Sequence, residues 1–191
     1  MTTETTSIAA VLKENTRPLH DAVEKSMGAN AIFSEGFTKD EYTTLLQRLY
    51  RAHLFVEPAI LAFADIKDFD GLQSEMRLDK AKLAAADLQK LGFEAKTGTP
   101  LNINFKNEAE AWGAYYVLEG SSLGGAVILK QLKKKEHLPE AYDFYGCYGD
   151  QTGPLWKTFL VALENTFISK SFNEADVLKG AEKAYQAFMD A

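Results

Sequence analysis

Apolar side chains recur at three- and four-residue intervals along nearly the whole chain. Ile8, Val11, Leu12, Leu19 and Val23 form one stripe; Tyr42, Leu45, Leu46, Leu49, His53 and Val56 form another. That spacing gathers side chains on one face of an α-helix, whereas a half-buried strand alternates every second residue. Capping residues stand where these helices begin. Ser7 precedes the first stripe, and Thr38-x-x-Glu41 has the form of a capping box before the second. Ser74 opens a third segment expected to end at Gly92, a residue suited to the left-handed position after a helix. Asn107-x-x-Glu110 starts a long segment, with Pro139 beyond its end. Pro154 suits the first turn of another helix, with Trp156, Phe159, Leu160 and Leu163 on its apolar face. Asn173 caps a last helix running towards Phe188. No strand-like alternation occurs, so the pattern predicts an all-α fold.

One helix carries an anomaly. In Y-Y-V-L-E-G-S-S-L-G-G-A-V-I-L-K (115–130), Gly120, Gly124 and Gly125 interrupt good helical spacing. Each interior glycine costs about 0.5–1 kcal/mol relative to alanine. At about 100° per residue, Gly113, Val117, Gly120, Gly124 and Val127 fall along one side that is nearly free of bulk, with Gly125 about 100° further round. Two uses suit such a stripe: close packing against another helix, or close approach of a flat ligand. Clustered glycines also predict a bend in the helix.

A chain of 191 residues with 46% hydrophobic content supports one substantial core, so a single domain over 1–191 is expected. A net charge of −6 disfavours a general nucleic-acid binder, although K-Q-L-K-K-K (130–135) offers a local basic surface. Cys147 is the only cysteine, which excludes an internal disulfide. M-T-T-E-T-T-S lacks the regions of a signal peptide, and no apolar run approaches the ~20 residues that span a bilayer. These features predict a cytoplasmic protein with neither a nucleic-acid nor a membrane partner.

The three histidines differ in setting. His20 lies at the edge of its stripe, beside Thr16 and Met27, two residues after Pro18. From there an imidazole can point into a cleft as a metal ligand, and one histidine suffices for haem iron. His53 sits within a core stripe and reads as structural, while His137 reads as a solvated helix end. His20-x-x-x-Glu24 and His53-x-x-x-Glu57 leave open a two-iron site, although no Glu-x-x-His pair accompanies them.

L-K-E-N-T-R-P-L-H-D-A-V-E (12–24) and Y-V-L-E-G-S-S-L-G-G-A-V-I-L-K (116–130) together resemble haem oxygenase. The likeness is strongest to the bacterial, biliverdin-producing branch associated with iron acquisition or bacteriophytochromes, and W-K-T-F-L-V-A-L (156–163) resembles a third block of that branch. The resemblance implies a helical bundle holding haem between a proximal helix and a kinked distal one. His20 would ligate the iron, and Gly120 and Gly124 would lie against the haem face. Lys13, Lys157 and Tyr115 match residues near the haem propionates, with Lys130 or Lys133 as substitutes for an arginine replaced here by Val161. Ser121 stands where mammalian-like members carry an aspartate that orders distal water, and Glu119 points away from the glycine side.

The implied chemistry uses haem b as cofactor and substrate. Oxygen and electrons from an external ferredoxin- or flavodoxin-type reductase convert it to biliverdin, carbon monoxide and ferrous iron. The reductase would dock on Lys130, Lys133, Lys134 and Lys135, and the protein is expected to be monomeric. A non-catalytic haem carrier of the same fold and a two-iron oxidase are the competing readings.

Overall fold

A computed structural model describes residues 7–191; the first six residues, part of the N-terminus read above, lie outside the described residues. The helices are α1 (Ile8–Met27), α2 (Lys39–Leu61), α3 (Ala64–Lys67), α4 (Ser74–Arg77), α5 (Lys80–Lys90), α6 (Glu108–Leu132), α7 (Thr152–Ser169) and α8 (Glu174–Asp190). No strand occurs among the described residues, so the fold is all-α as the apolar spacing predicts.

Local side-chain capping explains the starts of α1, α2, α6 and α8. The Ser7 hydroxyl accepts the Ala10 N–H at 3.2 Å, and the Asn107 side chain accepts that of Glu110 at 3.0 Å. Thr38 and Glu41 complete their reciprocal capping box, and Asn173 accepts the Ala175 N–H at 2.8 Å. Each cap satisfies a donor that the first helical turn leaves unpaired.

The segment from Ser74 to Gly92 departs from expectation. It is two helices, α4 and α5, broken at Leu78 and Asp79. Ser74 lies inside the first, its hydroxyl donating to the Ile66 carbonyl at 2.6 Å. The second is capped from α2: the Glu57 carboxylate accepts the N–H groups of Lys80 at 2.9 Å and Ala81 at 3.3 Å. The break turns Arg77 and Lys80 inward together, and both are buried against Glu119. A buried ion cluster therefore overrides the local helical preference.

The long helix α6 packs most extensively on α8. At their crossing, a Cβ added at Gly113 would lie 1.8 Å from the Val177 carbonyl oxygen, and one at Gly180 would lie 1.7 Å from that of Glu110. Only glycine permits backbones to approach so closely. Despite its three later glycines, α6 runs as one unbroken helix.

Residues 133–151 return from α6 to α7 without a long helix. Asp87 accepts the N–H groups of Asp143 at 2.9 Å and Phe144 at 2.8 Å, and the Tyr42 hydroxyl donates to the Ala141 carbonyl at 2.5 Å. These bonds pin the aromatic residues of this segment against the bundle.

Candidate functional site

A cavity of about 420 Å³ opens among α1, α2, α6, α7, α8 and the 133–151 segment. His20 and Glu24 reach it from α1, Leu45 and Leu49 from α2, and Gly120 and Gly124 from α6. The His20 ring nitrogens lie 3.6 Å from an Asp21 oxygen and 3.7 Å from a Glu24 oxygen, beyond good hydrogen-bond distance. Its ring meets Tyr185 edge-on, with centroids 6.4 Å apart. Packing thus orients the imidazole while neither nitrogen is committed to a close hydrogen bond.

His53 has the opposite character. Its Nδ1 lies 2.8 Å from the Glu57 carboxylate, and its buried ring is wedged edge-on between Phe144 and Phe188. Among the described residues, only His20, Asp21 and Glu24 cluster closely enough to share an ion. The two histidine–carboxylate pairs do not combine into one centre, which removes the geometry required for two irons. His137 is more engaged than its sequence position suggests, with Nε2 2.8 Å from the Phe37 carbonyl oxygen.

The glycine stripe divides between two uses. Gly113 serves the α6–α8 crossing, whereas a Cβ at Gly124 would meet nothing within 4 Å. At Gly120 it would make ordinary contact with the Trp156 ring at 3.6 Å. Bare helix therefore faces the cavity. Gly125, placed away from that side by the helical-wheel argument, lines the cavity as well, and a Cβ there would lie 3.5 Å from the Tyr145 ring. Ser121 also lines the cavity, its hydroxyl donating to the Leu118 carbonyl at 2.7 Å.

The proposed anchoring residues separate. Lys13 lines the cavity, whereas Lys157 is exposed on α7 and does not; its neighbour Trp156 does. Lys130 and Lys133 also lie outside the lining. Tyr115 does not line the cavity: it is buried between Trp112 and Phe159. Tyr116, one residue and about 100° further on, lines the cavity instead. Burial pushes the Tyr116 phenol up to about 12 and also raises those of Tyr145 and Tyr185. All three remain neutral at physiological pH, so this aromatic part of the wall offers uncharged donors, while Lys13 and Glu24 line the cavity from α1.

Sequence reasoning missed several lining residues. Tyr185 and Phe188 lie on α8, for which the sequence reading gave a cap at Asn173 and a course towards Phe188 but no cavity wall. Phe144 and Tyr145 gave no signal, because Asp87 places them from a distant helix. Glu119 does point away from the cavity; its carboxylate pairs with Arg77, accepts the Tyr148 hydroxyl at 2.6 Å and lies 3.5 Å from the Lys80 ammonium.

A family model described as heme oxygenase matches residues 6–191. The chain belongs to the haem oxygenase family. A heme oxygenase from Xanthomonas campestris pv. campestris (strain 8004) is 29% identical over 150 residues, covering 78% of this chain and 87% of that protein. The NO- and CO-bound heme oxygenase structure from Neisseria meningitidis has a TM-score of 0.77 at 23% identity, covering 96% of this chain and 89% of that one. This protein is accordingly a haem-degrading enzyme. Its cavity residues fit haem: an uncommitted imidazole, a glycine face with room beside it, aromatic walls and a lysine among the lining residues. No helix among the described residues is long and apolar enough to cross a membrane.

Proposed function

We propose that this haem oxygenase converts haem b to biliverdin, carbon monoxide and ferrous iron, using O2 and electrons from a separate reductase. The observation that carries the reading is the shared cavity, which joins the uncommitted His20 imidazole to the open face at Gly124. Haem supplies both the iron that activates oxygen and the ring that is oxidised.

His20 is the iron ligand in this reading, with Asp21 and Glu24 near its nitrogens. Imidazole must be neutral to ligate, so binding couples to release of any proton it carries. Gly120 and Gly124 leave space for the ring and for oxygen, where larger side chains would intrude. Ser121 supplies a hydroxyl but no carboxylate. Trp156, Phe144 and Phe188 exclude bulk water, and Lys13 pairs with a propionate. Tyr116 takes the role expected of Tyr115, as a neutral donor in the wall. Lys157 reaches a propionate only by moving inward from its exposed position on α7.

The donor is a ferredoxin- or flavodoxin-type protein docking on Lys130, Lys133 and Lys134, which are exposed beyond the glycine face. Lys135 is drawn from this surface: it donates to the Ser34 carbonyl at 2.6 Å and sits 5.8 Å from the Phe37 ring centroid. The enzyme acts as a cytoplasmic monomer comprising one domain.

Product analysis tests the reading. The haem complex, supplied with reductase and O2, should yield bilin and carbon monoxide. Haem uptake without either product would leave a carrier and overturn the proposal.

A further inference from the structure

Aromatic rings run without a break from the cavity wall towards the start of α6. Trp156 lines the cavity and stacks on Phe159, with ring centroids 5.7 Å apart and planes 17° from parallel. Phe159 lies 6.0 Å from the Trp112 ring and 4.9 Å from that of Tyr115. A single phenyl ring therefore separates the two indoles, which are the only tryptophans of the chain. Packing of large rings accounts for their burial. It does not account for the charge placed at the far end of the row.

Trp112 is fully buried, and its indole N–H donates to the Glu108 carboxylate at 3.2 Å, one turn earlier on α6. Glu108 also accepts from the Lys170 ammonium at 2.6 Å, and Asp65 pairs with that same ammonium. Two carboxylates thus attend one cation, so the group beside Trp112 is net negative. The Glu108 side chain is 18% exposed, which brings this end of the row to solvent. An indole is among the side chains most easily oxidised, and it loses an electron more readily beside negative charge and an acceptor for its proton.

The other oxidisable rings are less favourably set. The Tyr148 hydroxyl also meets a carboxylate, that of Glu119, but Arg77 pairs with the same group and Lys80 Nζ lies 5.0 Å from the Tyr148 ring centroid. Those cations oppose positive charge on the ring. Burial holds the phenols of Tyr116 and Tyr145 protonated, and a phenol yields its electron readily only as its proton leaves.

We propose that Trp156, Phe159 and Trp112 form a discharge path, which draws stray oxidising equivalents out of the haem cavity to the Trp112–Glu108 pair. The occasion is an organic hydroperoxide that meets bound haem and does not oxidise the ring. Cleavage of its O–O bond releases the alcohol, leaves the other oxygen with the haem and withdraws two electrons. One comes from the haem and one from Trp156, which Trp112 refills across Phe159. The Trp112 indole proton passes to Glu108, leaving a neutral indolyl radical. A soluble thiolate returns one electron from the Glu108 side while the carboxyl gives the proton back, and pairs of the resulting thiyl radicals end as disulfide. The path spares the cavity wall from oxidation between productive turnovers.

The inference rests on the haem-binding reading, and the test separates their failures. The ferric haem complex is mixed with an organic hydroperoxide and frozen, and its radical is read by electron paramagnetic resonance in protein carrying ring-deuterated tryptophan or ring-deuterated tyrosine. The wild-type signal should narrow with the tryptophan label only, and should lack coupling to an exchangeable nitrogen proton. Trp112→Phe should lose this signal and gain oxidation at Tyr116 and Tyr145 by mass spectrometry, while reductase-driven single-turnover bilin yield stays at the wild-type level. Glu108→Gln still accepts the indole N–H but cannot take its proton, so its radical should show the exchangeable coupling. A purely structural Trp112 would leave both signatures unmoved. If Trp112→Phe does not fold, the labelled wild type and Glu108→Gln decide the matter. A wild-type signal that narrows only with labelled tyrosine, an unchanged tryptophan signal in Trp112→Phe, or an unchanged radical in Glu108→Gln overturns the path while leaving haem binding intact. Failure of the wild type to form a histidine-ligated haem complex overturns both.

Discussion

Alanine at Gly124 and alanine at Gly113 should have opposite effects, although both glycines lie on one stripe of one helix. At Gly124 the new methyl meets nothing within 4 Å, so the folded apoprotein gains helix propensity without a steric cost. That gain is about 0.5–1 kcal/mol. For a chain of this length, 1 kcal/mol moves the midpoint by about 2–4 °C, so Gly124→Ala should melt about 1–4 °C higher. At Gly113 the methyl would lie 1.8 Å from the Val177 carbonyl oxygen, which must retreat to at least the 3.0 Å that real Cβ atoms respect. Parting the α6–α8 crossing falls at the upper end of overpacking penalties, about 2–3 kcal/mol, and lowers the midpoint by about 4–12 °C. Calorimetry of the apoproteins reads both signs. Single-turnover bilin yield then separates room for haem from stability: Gly124→Ala should lose yield while gaining stability. Gly125 is not a neutral control, since it also borders the cavity. A destabilised Gly124→Ala, a Gly113→Ala that melts normally, or full bilin yield from both Gly120→Ala and Gly124→Ala would refute this division of the stripe.

Other expectations concern separate parts of the molecule. His20→Ala should abolish the histidine-ligated haem spectrum, whereas His53→Ala should chiefly lower the urea midpoint; an unchanged spectrum in the His20 variant removes its assignment as ligand. Arg77→Ala should cost about 3–5 kcal/mol in denaturant melts, since it strips a buried carboxylate of a close cation; a loss below 1 kcal/mol would show that Lys80 and Tyr148 suffice for Glu119. Alkaline stability should fall between pH 10 and about 12, because burial raises Tyr116 from 10.0 to about 12. Tyr42, Tyr115, Tyr145 and Tyr148 are raised as well. Above pH 10 the native state keeps protons that the unfolded chain releases, so tyrosinate absorbance should appear together with loss of helical circular dichroism; ionisation of these tyrosines before unfolding would contradict their burial. Reductase-driven turnover should slow with added salt through screening of Lys130, Lys133 and Lys134, whereas a small neutral reductant should show no such response; equal responses would dissociate these lysines from docking.

The sequence by itself determined the helical class, most helix starts and the special character of the glycine helix. These depend on short-range chemistry: three- and four-residue apolar spacing, side chains that cap an adjacent turn, and the helix-propensity cost of glycine. His20 stood out for the same reason, since an imidazole at the edge of an apolar stripe is unusual within its own helix. Tertiary structure alone divided the stripe, assigning Gly113 to an α8 backbone and leaving Gly124 beside open space. It also exchanged Tyr115 for Tyr116 in the cavity wall, because a 100° step is a small error in sequence but moves a ring from core to cavity. The break between α4 and α5 had only a weak local signature, Asp79 at the start of α5, whose side chain makes no capping bond. Its cause is Glu119, 42 residues beyond Arg77 in the chain, whose buried carboxylate draws Arg77 and Lys80 inward together. Short-range periodicity specifies which face a helix hides, but not what meets that face. The partners that give a buried charge or a bare backbone its use come from distant parts of the chain, and only packing brings them together.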